Sequence, residues 1–564
     1  MNRLVRLQWL VSLMLGLLVL RLLHLQIIRG GYYRTLAEQN RLRLVPEQAP
    51  RGLIVDRRGR LLASNQTVFR VAIVPQELED FPGVLSRVGA LVRRSPDVLR
   101  RAYNKARSFA FIPATIVSHV PKDVAIRLEE ERWQLPGLLV KPETVRHYPG
   151  DTRAAHLLGH LSQPTAEELP KLKQYGVRPR HRVGRLGLER LLDPELRGRS
   201  GGLLVEVDHR ARQVRVVEAR EVVPGERVEL TVDVLLQSLI EQAFGDQAGA
   251  AVALDPATGE VLAMVSRPAF SPEAFALSDA AAVTESLEDP ASPMLNRATV
   301  GVYQPGSIVK LIVAAAALEA GVITPSTVLE CPGSLSIGDR TIHCWNRDGH
   351  GPMNLREALM QSCNVYFMKV GRRLGAARLL EAMKDAGLSH RTGWPLEEQP
   401  GHLPARRLSE GEVALLSIGQ GEILVTALQI ASVAALFANG SALVQPWIIR
   451  RVGEREFPAL PPRRRVKWSP QTIDAVRVGM KAVVNDPSGT GMRAMSVLVT
   501  IAGKTGTAQT RVEGQTHGWF VGYCPMEHPR VALAIVTEYG GAGGDLPADI
   551  TRTVCEYVVA PETL

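Results

Sequence analysis

The chain has 564 residues, more than one ordinary hydrophobic core accommodates, so two or more domains are expected. Its 45% hydrophobic and 22% charged residues exclude a disordered chain, and 5% aromatic residues argue against a stacking platform for nucleic-acid bases. The net charge of +10 indicates an anionic neighbour. That neighbour could be nucleic acid, phospholipid headgroups or an acidic polymer, and charge alone does not choose among them.

The N-terminal segment is apolar. Residues 7–28 consist mainly of Leu, Val, Ile and Met, and as a helix they are long enough to cross a hydrocarbon core that needs ~20 residues. The length of the apolar segment and the lack of a small-x-small cleavage site favour a permanent anchor over a cleaved signal peptide. Arg3 and Arg6 precede the segment and favour an inside N-terminus, although the arginines that follow it weaken this charge bias. We therefore expect a single-pass membrane protein with one soluble body on one side.

Residues typical of turns divide the rest of the chain into predicted strands, helices and domains. Two apolar runs flank Asp56–Gly59 and predict a hairpin, and residues 203–218 alternate as a strand does. A helix predicted over Leu235–Phe244 marks a domain boundary. Hairpins predicted at 249–266 and 519–538 flank a helical middle, which indicates an α+β domain whose sheet is closed by both ends. The predicted domains are a cytoplasmic tip and anchor at 1–28, a pedestal at 29–232 and a C-terminal domain at 233–564.

A serine and a lysine stand one helical turn apart in the C-terminal domain. The sequence Ser307-Ile-Val-Lys310 opens a helix predicted over 308–320, with Gly321 as its C-cap. A serine hydroxyl needs an adjacent base before it attacks a carbonyl. A lysine in an otherwise uncharged apolar helix can have a pKa low enough to serve as that base. Taken alone, the pair is also typical of a helix-capping serine beside a surface lysine.

Two further motifs follow in the same domain. Ser362-Cys-Asn364 offers a hydroxyl that relays protons and an amide that binds a peptide backbone, although alone it is typical of a cap or turn. Lys504-Thr-Gly-Thr507 places a cation, hydroxyls and a glycine on a predicted strand, which suits a peptide carboxylate laid along the strand edge. A nucleotide P-loop is excluded, because Leu498 occupies the position of the glycine that a P-loop requires upstream.

The ordered set of three motifs is more specific than any member. Ser-x-x-Lys, Ser-x-Asn and Lys-Thr-Gly together characterise the penicilloyl-serine transferases. On these motifs the chain resembles class B penicillin-binding proteins over nearly its whole length, and it resembles the elongation-specific penicillin-binding protein 2 group more than the division-specific group. Ala427 departs from that family, which usually carries proline there. Further segments that carry the resemblance are 51–63, 146–159, 187–189, 230–237, 255–268, 344–351 and 417–429.

The resemblance implies a chemical role for four side chains. Ser307 would attack the carbonyl of the penultimate D-alanine of a stem peptide, and Lys310 would take its proton. Ser362 would pass a proton to the leaving D-alanine, and Lys504 would support that group electrostatically. A second stem peptide would then supply the amine that resolves the acyl-enzyme.

The resemblance also implies a binding role for the remaining motif residues. Asn364 would hold the donor backbone, and Thr505 and Thr507 would hold its terminal carboxylate. Gly506 would let that backbone approach closely. The backbone N–H groups of Ser307 and Thr507 would form the oxyanion hole.

The fold and the partners follow from the same resemblance. The expected fold is α+β, with a single N-terminal transmembrane helix, an elongated pedestal and an antiparallel sheet flanked by helices. The expected partners are peptidoglycan strands and stem peptides, the membrane, and a polytopic SEDS-family glycosyltransferase that the protein would also activate. β-Lactams would acylate Ser307, no metal or organic cofactor is required, and no nucleic acid is expected. The catalytic domain would lie outside the bacterial cytoplasmic membrane.

Several rival functions share these motifs. A division-specific class B transpeptidase, a membrane-bound β-lactam sensor, a β-lactamase and a non-catalytic activator scaffold are the alternatives. A β-lactamase needs a hydrolytic base and a sensor needs a signalling domain, and a compact β-lactamase has no use for a pedestal and a permanent span. The intact Ser307 and Lys310 pair argues against an idle scaffold.

The cysteines leave several interpretations open. Five cysteines are too few for a disulfide scaffold. Cys331 and Cys344 lie in a loop-like stretch with His350 nearby. A disulfide between the two cysteines, a metal site that includes the histidine, and a pair of free thiols are all consistent with this pattern.

Overall fold

The structure is a computed structural model that divides into two units. It describes residues 2–107, 113–172, 177, 181–207, 213–338, 340–510 and 512–561. The first unit comprises Met1–Arg51, Thr67–Thr144 and Arg197–Gly225, and the second comprises Gly52–Gln66, Val145–Leu196 and Glu226–Leu564.

The apolar N-terminal segment is helical, as its composition predicts. The helix Asn2–Leu23 continues as a π-helical turn over His24–Ile28, and none of the segment Leu4–Ile28 is buried. Within the described ranges it is the one helix both long and apolar enough to cross a membrane. The polar helix Gly30–Arg41 follows it. The N-terminal helix therefore suggests a single-pass anchor.

Strands of two sheets, together with three helices, form the rest of the first unit. Strand Leu61–Ile73 enters this unit at Thr67 and pairs with Ala114–Val120 and with Leu138–His147. Helices Phe81–Val92, Pro96–Ala106 and Lys122–Glu130 bury Val84, Leu99 and Leu128 in one apolar cluster with these strands. The other sheet consists of Leu42–Glu47, Gly201–Val207 and Gln213–Arg220. The strand-like segment predicted at 203–218 thus contributes to two antiparallel strands, Gly201–Val207 and Gln213–Arg220.

A five-stranded antiparallel sheet is the centre of the second unit. Its order is Val261–Arg267, Gly249–Leu254, Val531–Thr537, Thr516–Cys524 and Ala502–Gln509. The first two strands confirm the hairpin predicted at 249–266, and the next two confirm the one predicted at 519–538. Strand Ala502–Gln509, here named the motif strand because it carries Lys504-Thr-Gly-Thr507, lies at the edge of the sheet.

Both faces of this sheet are buried. Alternate residues of a strand point to opposite faces. Accordingly Ala250 and Val252 pack in the cluster that contains helix Ala427–Asn439, whereas Ala251 and Ala253 pack in a second cluster. That second cluster contains helices Val234–Phe244 and Leu546–Val559. The expected α+β architecture is thus confirmed, and the continuous apolar strands follow from burial on both sides.

The second unit contains further helices and strands around this sheet. Further α-helices are Ala155–Leu158, Leu169–Leu172, Gly187–Leu191, Asp193–Arg197, Pro272–Leu277, Ala280–Glu288, Lys310–Glu319, Leu355–Met360, Asn364–Leu374, Ala376–Asp385, Glu410–Leu416 and Pro470–Asn485. Further strands are Ile54–Val55, Leu161–Ser162, Val183–Gly184, Val228–Leu230, Leu329–Cys331, Ser334–Ile337, Arg340–His343, Gly351–Met353, Ala442–Leu443, Ile449–Val452, Arg455–Glu456 and Arg464–Arg465.

A disulfide fastens the C-terminal helix to the central sheet. Cys524, at the end of strand Thr516–Cys524, is bonded to Cys555 of helix Leu546–Val559, with a Cα–Cα distance of 5.9 Å. No sequence pattern identifies this pair, because 31 residues separate the two cysteines and no motif surrounds them. Disulfides form and persist in oxidising compartments rather than in the cytosol.

Helix Ala427–Asn439 begins at the residue that departs from the family pattern. Thr426 is its N-cap, with extended backbone at φ −97° and ψ 158°, and it forms a capping box with Gln429. Ala427 therefore occupies the first helical position, whose N–H has no partner within the helix. Proline is well suited to that position.

We predict that Ala427→Pro stabilises the protein by about 0.4–1 kcal/mol, because it restricts the unfolded chain without removing a helical hydrogen bond. The free energy of unfolding of the detergent-solubilised protein in urea measures this. Ala431→Pro, in the interior of the same helix, is the control and should cost about 3 kcal/mol or more. A loss of stability in Ala427→Pro would contradict the prediction.

Candidate active site

Ser307 lies in a short turn at the start of a buried helix. Residues Gly306–Val309 form a 3-10 turn, here named the serine turn, and helix Lys310–Glu319 continues from it. Ser307 therefore lies at the helix N-terminus, as predicted. The α-helix begins two residues later than predicted, because the first turn is a 3-10 turn. Gly306 has φ +56°, and a Cβ there would lie 2.7 Å from the carbonyl oxygen of Thr507. Glycine thus lets the serine turn lie directly against the motif strand.

Lys310 joins the first motif to the second. Its Nζ donates hydrogen bonds to the Ser362 carbonyl oxygen at 2.7 Å and to Asn364 Oδ1 at 2.7 Å, with Ser362 Oγ at 3.3 Å. Ser362 is at φ 54°, which turns its main chain towards the lysine. Within the described part of the chain, no hydrogen bond joins Lys310 Nζ to Ser307 Oγ. Catalytic hydrogen bonds often tighten only when substrate is bound.

Burial sets the ionisation of both motif lysines. Lys310 is fully buried, and burial lowers its pKa to about 8, although the neighbouring Cys363 and Cys344 oppose this shift. Lys504 is fully buried as well, and its pKa lies well below the usual value because of burial and the positive charge of Lys310. Lys504 Nζ donates to the carbonyl oxygen of Thr505 at 2.9 Å.

The motif strand presents a free edge beside the serine turn. Its other edge pairs with Thr516–Cys524, with Gly506 opposite Trp519. A Cβ on Gly506 would lie 3.0 Å from Ile308 Cγ2 and 3.1 Å from the carbonyl oxygen of Pro305, so a larger residue would displace the serine turn. Thr507 is exposed, and Thr505 Oγ1 is 2.6 Å from Thr490 Oγ1. The structure therefore brings all three motifs together around one groove.

Two family descriptions match the chain. The description "Penicillin binding protein transpeptidase domain" matches residues 249–556, and "Penicillin-binding Protein dimerisation domain" matches residues 46–230. The chain belongs to the class B penicillin-binding proteins. It is a penicillin-binding transpeptidase of peptidoglycan synthesis, which confirms the family predicted from the three motifs.

Individual relatives of this penicillin-binding protein cover almost the whole chain. "Peptidoglycan D,D-transpeptidase MrdA" of Escherichia coli is 31% identical over 97% of this chain and 92% of its own length, and the Haemophilus influenzae protein of the same name is 30% identical over 97% and 90%. Among solved structures, the Helicobacter pylori PBP2 in a complex with MreC has a TM-score of 0.78 and 26% identity, covering 93% of this chain and 100% of that chain. A chain from a structure described as "Structural coordination of polymerization and crosslinking by a peptidoglycan synthase complex" has a TM-score of 0.76 and 30% identity, covering 99% and 98%.

The serine turn of this penicillin-binding protein is held by residues that the motifs do not contain. Tyr303 donates its hydroxyl hydrogen bond to Glu538 at 2.8 Å, and Arg297 forms an ion pair with Glu538 at 3.0 Å. Trp519 Nε1 donates to the carbonyl oxygen of Gln304 at 3.0 Å. Burial and the Glu538 carboxylate raise the pKa of Tyr303 well above its usual value, so the phenol stays a donor. No local sequence signal links these residues, which lie more than two hundred positions apart.

Three thiols and an imidazole form a cluster next to the second motif. Cys331, Cys344, His350 and Cys363, here named the thiol cluster, place their ligand atoms within 4.8 Å of one another. All three cysteines are free, so Cys331 and Cys344 are not joined by the disulfide that the sequence left open. The sequence gives no metal-ligand signal for Cys363, because it is the middle residue of Ser362-Cys-Asn364.

The thiol cluster has the donor set of a structural zinc site. Cys3His is a common tetrahedral set for zinc, and the Nδ1 atom of His350 is 3.5 Å from Cys331 Sγ and 3.6 Å from Cys344 Sγ. Four protein ligands would leave no open position for substrate, so such an ion would hold the fold rather than take part in the reaction. The backbone N–H of Asn364 also donates to Cys344 Sγ at 3.4 Å, which ties the cluster to the second motif.

We predict that the purified protein carries about one zinc ion per chain, measured by elemental mass spectrometry. His350→Ala should lower that content and the thermal unfolding midpoint, because one of four ligands is lost. His343→Ala, which changes an exposed histidine outside the cluster, is the matched control. Wild-type protein without bound metal after purification in zinc-containing buffer would contradict the prediction.

Proposed function

We propose that this protein is the elongation-type D,D-transpeptidase of its cell, with Ser307 as the nucleophile. The observation that carries the proposal is the buried Lys310. It begins the helix that follows the serine turn, and its Nζ donates hydrogen bonds to Ser362 and Asn364. A lysine whose pKa is lowered to about 8 by burial is neutral in a useful fraction of molecules at neutral pH.

The proposed reaction proceeds in two acyl transfers. Neutral Lys310 takes the hydroxyl proton while Ser307 Oγ forms a bond to the penultimate D-alanine carbonyl. The bond to the terminal D-alanine then breaks, and Ser362 passes a proton from Lys310 to the leaving amine. An amine of a second stem peptide attacks the acyl-enzyme, its proton returns through Lys310, and Ser307 is released as the hydroxyl.

The groove supplies the proposed binding contacts for these steps. The N–H groups of Ser307 and Thr507 stabilise the oxyanion. Such stabilisation makes a large contribution to the rate of acyl transfer. Asn364 holds the donor backbone, while Thr505 and Thr507 receive the carboxylate beside Lys504. Gly506 supports this arrangement by letting the serine turn lie close to the strand along which the peptide would bind.

We also propose the topology in which only residues 1–28 form the cytoplasmic tip and the anchor. The pedestal would then be 29–232 and the transpeptidase domain 233–564, both outside the membrane. The disulfide Cys524–Cys555 supports an extracytoplasmic position for the catalytic domain, because such bonds are rare in the cytosol. Arg3 and Arg6 in the first turns of the apolar helix support an inside N-terminus.

Elongation and a polymerase partner form the finer part of the proposal. The resemblance of segments 344–351 and 417–429 to the penicillin-binding protein 2 group and the PBP2 structural neighbours support the elongation role over the division role. A neighbour in a peptidoglycan synthase complex supports an association with a glycan polymerase, for which we propose a polytopic SEDS-family glycosyltransferase that this protein activates. The H. pylori PBP2 in a complex with MreC supports a protein similar to MreC as a second partner.

A fluorescent penicillin tests the nucleophile. Wild-type protein should retain one covalent label per chain, whereas Ser307→Ala should retain none, because β-lactams acylate the attacking serine. Ser417→Ala, which changes a buried serine of another helix end, is the control for folding. Stable labelling of Ser307→Ala would remove the assignment, and rapid release of the label from wild type would favour a β-lactamase.

The pKa of Lys310 predicts the pH dependence of acylation. A protonated lysine cannot accept the serine proton, so the acylation rate constant should rise about tenfold per pH unit below about pH 8 and level off above it. Labelling rates between pH 6 and pH 9.5 measure this. Lys310→Arg, which stays protonated throughout, should remain nearly unlabelled across the range. A flat wild-type profile would contradict the role of Lys310 as the base.

A further inference from the structure

A largely exposed tryptophan stands beside the second motif. Trp345 directly follows Cys344 of the thiol cluster, and 60% of its surface is exposed. It belongs neither to the three motifs nor to the set of metal ligands. Its position is set by two contacts of the indole, one polar and one aromatic, and these contacts lead to two different parts of the site.

The polar contact holds the backbone just before Ser362. Trp345 Nε1 donates a hydrogen bond to the carbonyl oxygen of Gln361 at 2.8 Å. Gln361 is the C-cap of helix Leu355–Met360, and carbonyl groups at a helix C-terminus have no partner within the helix. Gln361 and Ser362 share one planar peptide unit, so the indole N–H fixes the orientation of the peptide bond that enters Ser362.

Ser362 needs such contacts to keep its conformation. Its φ of 54° lies in the left-handed region, which a serine occupies stably only where the surrounding structure imposes it. The carbonyl oxygen of Ser362 accepts from Lys310 Nζ at 2.7 Å, and the carbonyl oxygen before it accepts from Trp345. Lys310 and Trp345 thus hold two successive carbonyl groups of the turn that carries the Ser362 hydroxyl.

The aromatic contact joins Trp345 to the imidazole of the thiol cluster. The ring centroids of Trp345 and His350 lie 5.2 Å apart, and the rings meet edge to face at 65°. His350 Nδ1 faces the sulfur atoms of Cys331 and Cys344, whereas Nε2 is buried and has no hydrogen-bond partner among the residues that the structure describes. A histidine that binds a metal through one ring nitrogen usually donates its other N–H to a nearby acceptor. An aromatic face can be that acceptor.

The thiol cluster also holds the motif on the other side of Ser362. The N–H of Asn364 donates to Cys344 Sγ at 3.4 Å. Cys363 is the N-cap of helix Asn364–Leu374, and its Sγ accepts from the N–H of Tyr366 at 3.4 Å. These contacts act on the residues after Ser362, whereas Trp345 acts on the residue before it. Both flanks of Ser362 are therefore held by the segment that supplies the metal ligands.

We propose that Trp345 is a positioning residue that joins the metal-binding histidine of the thiol cluster to Ser362. His350 Nε2–H donates to the indole face, and the indole N–H donates to Gln361, so the orientation that a metal imposes on His350 is passed to the Ser362 turn. The assignment rests on the proposed function, because it takes Ser362 as the group that passes a proton to the leaving nitrogen. Trp345 itself need not touch the substrate.

Two kinetic constants separate positioning from binding. The dependence of labelling rate on fluorescent penicillin concentration gives the dissociation constant of the complex before acylation and the acylation rate constant k2. Trp345→Phe keeps an aromatic face for His350 and removes only the hydrogen bond to Gln361. We expect k2 to fall about 3- to 10-fold, as the loss of one hydrogen bond predicts, while the dissociation constant, the zinc content and the thermal unfolding midpoint stay at wild-type values.

A second variant tests the contact with the histidine. Trp345→Leu removes the aromatic face as well, so the affinity for zinc, measured by competition with a chromogenic chelator, should fall about 10-fold. In this variant k2 should be no higher than in Trp345→Phe. The matched controls are Trp133→Phe and Trp133→Leu, which change another exposed tryptophan in the turn Arg132–Gln134 of the first unit. Both controls should keep wild-type k2 and zinc affinity.

Failure of the positioning role and failure of the proposed function give different results. A wild-type k2 in Trp345→Phe overturns the positioning role, and so does a change confined to the dissociation constant. Wild-type zinc affinity in Trp345→Leu, or wild-type protein that binds no zinc, overturns the link to His350. In contrast, a wild-type k2 in Ser362→Ala shows that the proposed proton transfer is wrong, and the role of Trp345 falls with it.

Discussion

The ammonium of Lys310 is buried, and its hydrogen bonds go to Ser362 and Asn364. Moving a lysine out of water is costly, so the charge is tolerated only because three acceptor oxygens surround it and because its pKa falls to about 8. This one group fixes the distance between the helix that begins at the serine turn and the turn that carries the second motif. It also makes the site sensitive to anything that shifts that turn.

The groove depends on close approach as well as on charge. Gly306 and Gly506 stand where the serine turn meets the motif strand, and a Cβ on either would contact backbone or side-chain atoms at 3.0 Å or less. The anchors of Tyr303 and Trp519 hold the turn from the other side. A rigid turn against an open strand edge is the arrangement that lets an extended peptide bind beside an attacking serine.

The cysteines form two separate groups. Cys524 and Cys555 fasten the C-terminal helix to the sheet, whereas Cys344 and Cys363 lie directly behind Ser362 and Asn364. Chemistry at the thiol cluster would therefore act on the second motif through the backbone. The link is local, since Cys363 is itself part of that motif.

The sequence determined the elements whose signal is local. The three motifs, the apolar helix at the N-terminus, the helix Val234–Phe244 and the two hairpins could all be read from short-range patterns of polarity and turn residues. Only the tertiary structure decided which distant residues meet. The Tyr303–Glu538 contact, the Cys524–Cys555 bond and the meeting of Cys363 with Cys331 join positions 235, 31 and 32 residues apart, and no periodicity encodes such a contact. The pKa of Lys310 belongs to the same class, because burial is a property of the packed core and not of the motif that contains the lysine.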